Sequence, residues 1–230
     1  MLWAASPVPA LASTNNALEA AADENWAAAL RYASASGNDA LMTLINWQYM
    51  MDADSGANFH EIMSFITQNP DWPDIKKLRV RAELSLAENP VDDGTMVATF
   101  GTEDPLTGIG KIRLAQSLPQ SGSSAGRITK LVKEGWIQGD FDAAEEQRIL
   151  KQFAGILNTE DDIARTDRLL WEEKISPAKR MMGLLPQEYH SLFNARIALI
   201  QKDKSAAKLV DKVSVKFRKD PGLLYDRMRY

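Results

Sequence analysis

The sequence predicts an all-α chain: an irregular α–α superhelix, or solenoid, of antiparallel helix hairpins with no sheet. Three observations lead there. Apolar residues recur with helical period: Phe59, Ile62, Met63 and Ile66 fall at i, i+3, i+4 and i+7. The stripes Leu150/Phe153/Ala154/Leu157 and Ala206/Leu209/Val210/Val213 follow the same rule. No segment alternates apolar and polar residues with the β-branched enrichment of a half-buried strand. The helical segments are joined by about two to six residues, so that each hairpin buries its face on the next.

Taken in order, the pattern predicts helices over 15–34, 38–51, 57–68, 73–88, 91–99, 105–117 and 124–137. Further helices follow over 141–156, 159–173, 176–184, 186–201, 204–213 and 221–229. Asp142-x-x-Glu145 and Thr159-x-x-Asp162 mark N-termini, where side-chain oxygens accept from free backbone N–H groups. Pro73, Pro186 and Pro221 sit where a first turn tolerates a missing N–H. Gly135, Gly139, Gly155 and Gly183 fall near helix ends or tight joins. No convincing copy of a tetratricopeptide repeat is present. Residues 14–230 therefore read as one superhelical domain, with a candidate hinge near 118–125 in Pro119-Gln120-Ser121-Gly122-Ser123-Ser124.

Composition narrows the chemistry. The chain has 230 residues, 45% hydrophobic and 25% charged, within the range of an ordinary globular protein. It has no cysteine, which removes disulfides, thiolate metal sites and cysteine nucleophiles. Its two histidines, His60 and His190, are too few for a multi-histidine metal centre, and no cofactor is expected. The net charge of −4 is unevenly spread: residues 1–115 carry 7 basic and 15 acidic residues, and residues 116–230 carry 20 and 16. That balance lacks the dense basic stripe of a duplex nucleic-acid binder.

The first residues suggest an address. Pro9-Ala10-Leu11-Ala12-Ser13 has the small-x-small form of a secretory cleavage site, so residues 1–13 read as a signal-peptide remnant or a disordered leader. No later segment is a membrane candidate, because Thr, Asn and Gln interrupt the longest uncharged stretch, Ala40 to Met51.

Catalytic motifs are missing. Gly108-Ile109-Gly110-Lys111 lacks the spacing of a phosphate-binding loop, and His60-Glu61 does not continue to a second histidine. His60 falls at the edge of its helical stripe, and His190 has no defensible triad partners. The pairs Asp92-Asp93, Glu145-Glu146, Asp161-Asp162 and Glu172-Glu173 have the residue type of catalytic carboxylates. Three of the four fall at predicted helix starts, where acids stabilise the dipole by up to about 1 kcal/mol. Trp72, Trp136 and Trp171 offer faces for stacking on sugar rings, although Trp in helical repeats more often fills the hairpin core with its indole N–H bonded to a carbonyl.

A family resemblance joins these features. Phe65-Ile66-Thr67-Gln68-Asn69-Pro70-Asp71-Trp72-Pro73, followed by Leu78, Arg81, Ala82 and Glu83, resembles a helix-join-helix signature of soluble lytic murein transglycosylases. Gly135-Trp136, Gly139-Asp140-Phe141, Glu145, Phe153 and Leu157 continue it. Asp161-Asp162, Arg165, Asp167-Arg168-Leu169-Leu170-Trp171 and Ala178-Lys179-Arg180-Met181-Met182 come next. Ala195-Arg196-Ile197-Ala198-Leu199 and Asp220-Pro221-Gly222-Leu223-Leu224-Tyr225-Asp226-Arg227 close it. The likeness is good over 64–88 and 127–230 and weak over 14–63 and 89–126.

The resemblance implies a periplasmic protein acting on peptidoglycan glycan strands. That family cleaves between N-acetylmuramic acid and N-acetylglucosamine and leaves a 1,6-anhydro end. One Glu serves first as acid and then as base. In the family that Glu precedes Ser, with a Gly-Leu-Met-Gln stretch soon after, inside a lysozyme-like domain beyond the superhelix. Neither Glu-Ser nor Gly-Leu-Met-Gln occurs here, so no catalytic residue carries over. A further domain of about 100–150 residues is expected beyond Tyr230, and the chain alone is expected to be inactive. The family's superhelix helps to hold the glycan, and the basic half suits muramyl carboxylates. The resulting glycan-contact candidates are Arg127, Lys130, Lys133, Arg165, Arg168, Lys179, Arg180, Trp136 and Trp171. The alternative reading is a free-standing α-solenoid, of tetratricopeptide-like architecture, that binds protein.

Overall fold

In a computed structural model, residues 10–101, 103–119 and 124–230 are described, and they contain no strand. They form the all-α class that the periodicity predicts. The chain divides into two compact units, one ending at Val91 and the next beginning at Asp92. Within each unit the helices pack on sequence neighbours or on the next helix but one, such as α8 with α10 and α12 with α14, as an irregular α–α solenoid.

The first unit holds α1 (Ala10–Ala22), α2 (Trp26–Ser36), α3 (Asp39–Met51), α4 (Phe59–Gln68) and α5 (Ile75–Ser85). Its first three helices close over small side chains, Ala17, Ala21, Ala29 and Ala33, with Leu41 and Ile45, so their backbones approach closely. Phe59, Ile62, Phe65, Leu78 and Ala82 are buried along α4 and α5. The stripe predicted for 57–68 is the buried face.

The second unit holds α6 (Asp93–Phe100), α7 (Gly108–Ser117), α8 (Ala125–Gln138), α9 (Ala143–Gln152) and α10 (Thr159–Trp171). It continues with α11 (Ile175–Met181), α12 (Gln187–Ile200), α13 (Ala206–Asp211) and α14 (Pro221–Arg229). Ile112, Leu131, Val132, Trp136, Ile149, Leu169 and Phe193 are buried between them. At the join of α7 and α8 the packing is backbone against backbone. A Cβ on Gly108 would lie 2.3 Å from the Gly139 Cα.

Most predicted boundaries match to within a few residues, and two differ for a physical reason. The segment expected as one helix over 15–34 is two helices. Glu24 adopts a left-handed φ of 56°, with its N–H donating to Ala21 O and the Asn25 N–H to Ala20 O. This is a Schellman ending whose left-handed position is filled by a glutamate instead of the usual glycine. Glu173 and Lys202 end α10 and α12 in the same way. At α10 the N-cap is Asn158, whose Oδ1 accepts from Asp161 N at 3.1 Å in a capping box, one residue before the expected Thr159. The Asp142 cap is as predicted, with Oδ1 accepting from Glu145 N at 2.7 Å. The candidate hinge lies largely outside the described residues, because 120–123 are not among them. The leader expectation falls outside them over residues 1–9, whereas Ala10–Ser13 belong to α1 and Ser13 is buried.

A second regularity concerns helix ends. The last carbonyls of a helix have no partner within it, and here arginines of the next helix but one supply donors. Arg81 of α5 donates to Asp52 O and Ala53 O, just past α3, at 2.8 and 3.1 Å. Arg127 of α8 donates to Phe100 O and Gly101 O at the end of α6. Arg165 and Arg168 of α10 donate to Trp136 O, Ile137 O and Gly139 O at the end of α8. Each bond reaches back between 26 and 31 residues.

Two substitutions test this packing. Glu24→Gly relieves a left-handed strain and should raise stability by about 0.5–1 kcal/mol. Gly108→Ala has no room to relax and should lower it by about 2–4 kcal/mol. Urea unfolding followed by circular dichroism reads both.

Candidate functional site

Nine side chains are candidates for contact with glycan, and the structure divides them into three groups. Lys133, Trp136, Arg165, Arg168 and Arg180 converge where α8, α9, α10 and α11 meet. At the centre, Arg165 is fully buried. Its Nη1 donates to Trp136 O at 2.5 Å and Gly139 O at 2.7 Å, and its Nη2 donates to Glu146 Oε1 at 2.8 Å. The guanidinium lies 4.3 Å from the centre of the Trp136 ring and 5.2 Å from that of Phe141. Those two rings are nearly parallel, 6.4 Å apart.

Around that centre the other charges close in. Arg180 Nε donates to Glu146 Oε2 at 2.6 Å, so one carboxylate serves two arginines. Arg168 donates to Asp140 Oδ1 at 2.8 Å, and Lys174 to Asp140 Oδ2 at 2.5 Å. Lys133 pairs with Asp161 at 2.5 Å. The Trp136 indole N–H donates to Asp162 Oδ1 at 3.0 Å. Burial pushes the Arg165 pKa down, and Glu146 opposes that shift. Burial pushes the Asp162 carboxyl up against the Trp136 hydrogen bond, and Asp161 adds to the rise.

The second group is Arg127 and Lys130, both on Asp104 at 3.0 and 2.7 Å. Lys130 holds Asp104 below the ordinary carboxylate range by hydrogen bond, and Arg127 adds to this. The remaining two stand apart. Lys179 is exposed and donates to Gln201 Oε1 at 3.2 Å. Trp171 is 43% exposed, with its ring 5.0 Å from that of Tyr225.

Arg165 and Trp136 are fully buried in this structure. Their sequence positions are explained by the helix-end carbonyls and the hairpin core that they serve. Trp171, Lys179, Arg180 and Lys130 keep exposed surface. A residue the sequence reading passed over, Arg196, repeats the arrangement. It is fully buried on α12, donates through Nε to Asp226 Oδ2 at 2.7 Å and through Nη1 to Asp167, and faces the Trp171 ring. Gly222 lets it pass, since a Cβ there would stand 2.2 Å from the Arg196 Cζ.

The paired carboxylates are committed to similar work. Asp92 caps α6 through Thr95 N at 3.0 Å, and Asp93 accepts from Ser117 Oγ at 2.8 Å. Glu145 pairs with Arg148 at 2.5 Å, Glu172 pairs with Lys174 at 2.6 Å, and Glu173 pairs with Arg229. His60 is exposed, and a ring nitrogen of His190 lies 3.2 Å from Leu185 O. Among the described residues no group of three or more His, Cys, Asp or Glu is placed to hold a metal. Nor is any helix long and apolar enough to cross a membrane. No protein-family model, no curated protein and no solved structure matches the chain.

Removing Arg165 takes the side-chain donor from the Trp136 carbonyl, and leaves Glu146 with Arg180 alone and the Gly139 carbonyl with Arg168 alone, around an emptied buried site. Arg165→Ala should cost about 3–5 kcal/mol, whereas Lys130→Ala, an exposed charge, should cost less than about 1 kcal/mol. Asp162 titrates with the opposite sign to a surface-paired acid. Its folded pKa is raised, so protonation favours the fold below the unfolded pKa, and that contribution is lost as pH rises through the folded pKa. Asp162→Asn keeps an acceptor for Trp136 and removes the charge. The variant should be more stable than the parent at neutral pH, with a gain that shrinks as pH falls into the carboxylate range. Thermal melts across that range check both the direction and its disappearance.

Proposed function

We propose that the chain is the non-catalytic superhelical scaffold portion of a periplasmic protein of the lytic-transglycosylase type. In this role it helps to position peptidoglycan glycan strands beside a lysozyme-like catalytic domain that cuts them to 1,6-anhydromuramic ends. The observation that carries the reading is where the resembling residues lie. Trp136, Gly139, Asp140, Phe141, Arg165, Arg168 and Arg180 are the parts that lock α8, α10 and α11 together, and Gly135 brings α8 against α7. What the resemblance transfers is a frame, and a frame is what those residues build.

The chemistry of the carboxylates supports the same reading. A glycosidic acid needs a proton and open access to the leaving oxygen. Each acidic pair here has a member whose carboxylate is engaged with a cation, a hydroxyl or a helix N-terminus. Contact with glycan then falls to exposed groups, of which Trp171 and Lys179 are the best placed. An exposed indole stacks on a sugar face, and a lysine meets a muramyl carboxylate.

Sedimentation with purified sacculi tests the proposal. The chain should co-sediment, and the double substitution Trp171→Ala with Lys179→Ala should reduce the bound fraction several-fold while helicity is unchanged. Chromatography of the supernatant should show no 1,6-anhydromuropeptides. Release of such products by the purified chain, or failure to co-sediment at low salt, would overturn it.

A further inference from the structure

Ion pairing in this molecule is dense through the middle of the chain and sparse at both ends, with opposite signs. Residues 1–75 carry one basic residue, Arg31, against nine acidic ones. Among the described residues, Glu19, Asp23, Glu24, Asp39, Asp54 and Glu61 meet no cation. Residues 201–230 carry nine basic residues against four acidic ones. There Lys204, Lys208, Lys212, Lys219 and Arg227 meet no carboxylate.

Each end also carries a feature that a partner could engage: a groove at one end and an exposed apolar row at the other. Between α2, α3 and α4 lies a groove of about 340 Å³. Leu30, Met50 and Phe65 contribute its apolar lining, and Asn46, Tyr49, Glu61 and Gln68 its polar lining. At the other end, α14 turns Leu224, Tyr225 and Met228 to solvent, and Met228 is 85% exposed. Leu224 and Met228 are four residues apart and share one face of the helix. Of the described helices, α14 is the one that combines an exposed apolar row with an unpaired cation.

We propose that the α2–α4 groove takes the α14 face of a second copy of this chain. Apolar side chains of α14 fill the groove, and the cations of residues 201–230 meet the uncompensated acids of α1–α4. The two surfaces differ, so the contact is head-to-tail: each copy offers one groove and one helix. Opposite charges set the register and speed the encounter, and salt weakens both.

Sedimentation equilibrium on the full chain tests this. At about 20 mM NaCl the mean mass should rise with concentration above the 25.6 kDa of one copy, and at about 500 mM it should return to it. Met228→Glu puts an acid on the apolar row, and Gln68→Lys puts a cation in the groove. Both sites are exposed, so the fold should be kept, which circular dichroism verifies. Each variant alone should self-associate at least tenfold more weakly. Mixed together they should form a complex of two copies and nothing larger, because the intact groove of one takes the intact α14 of the other. Three results would each overturn the proposal. One is a chain that stays at a single copy's mass throughout. Another is association that ignores the groove substitution. The third is a single-copy chain that nonetheless binds a labelled Leu/Lys peptide in the groove, which would assign that surface to another protein's helix.

Discussion

A helix in a solenoid ends on carbonyl oxygens that its own backbone cannot satisfy, and here the donors come from outside the helix. Arg81, Arg127, Arg165 and Arg168 deliver guanidinium groups to the ends of α3, α6 and α8 from the next helix but one. A guanidinium suits the task, because several N–H groups in one plane reach two or three carbonyls and a carboxylate together. It also brings positive charge to the negative end of the helix dipole. Within each unit this interaction sets how far one hairpin lies from the next.

The same economy accounts for the placement of several acids in the second unit. Once Arg165 is buried, Glu146 must lie against it, because an unpaired charge there would cost several kcal/mol. Arg180 then shares that carboxylate, and Asp140 is held between Arg168 and Lys174. Carboxylates committed in this way hold helices together.

The fold was legible because helical period and capping residues are local signals, and nearly every predicted helix is present. The break between α1 and α2 escaped notice because its left-handed position holds Glu24, and the usual glycine signal was absent. The site was less legible. Arg165 and Trp136 looked like ligands because charge and aromaticity are visible in a sequence, whereas burial depends on partners far along the chain. Arg196 was passed over for the same reason. One signal points to Arg165: an arginine whose partner carbonyl at a helix end lies 26 to 31 residues earlier, an arrangement that recurs along the chain. It was hidden because the helices between differ in length and no consensus motif accompanies it.

That spacing bears on how such a chain can change in length. An arginine that serves the helix two places back ties together elements of the same parity and skips the one between. Losing a single helix would bring each following arginine to the wrong end of its neighbour, with its charge buried and the carbonyls bare. Losing or gaining two adjacent helices would leave every remaining clasp with a partner. Where these clasps occur, the structural unit is therefore the helix pair, with no repeated motif to mark where one pair stops and the next begins.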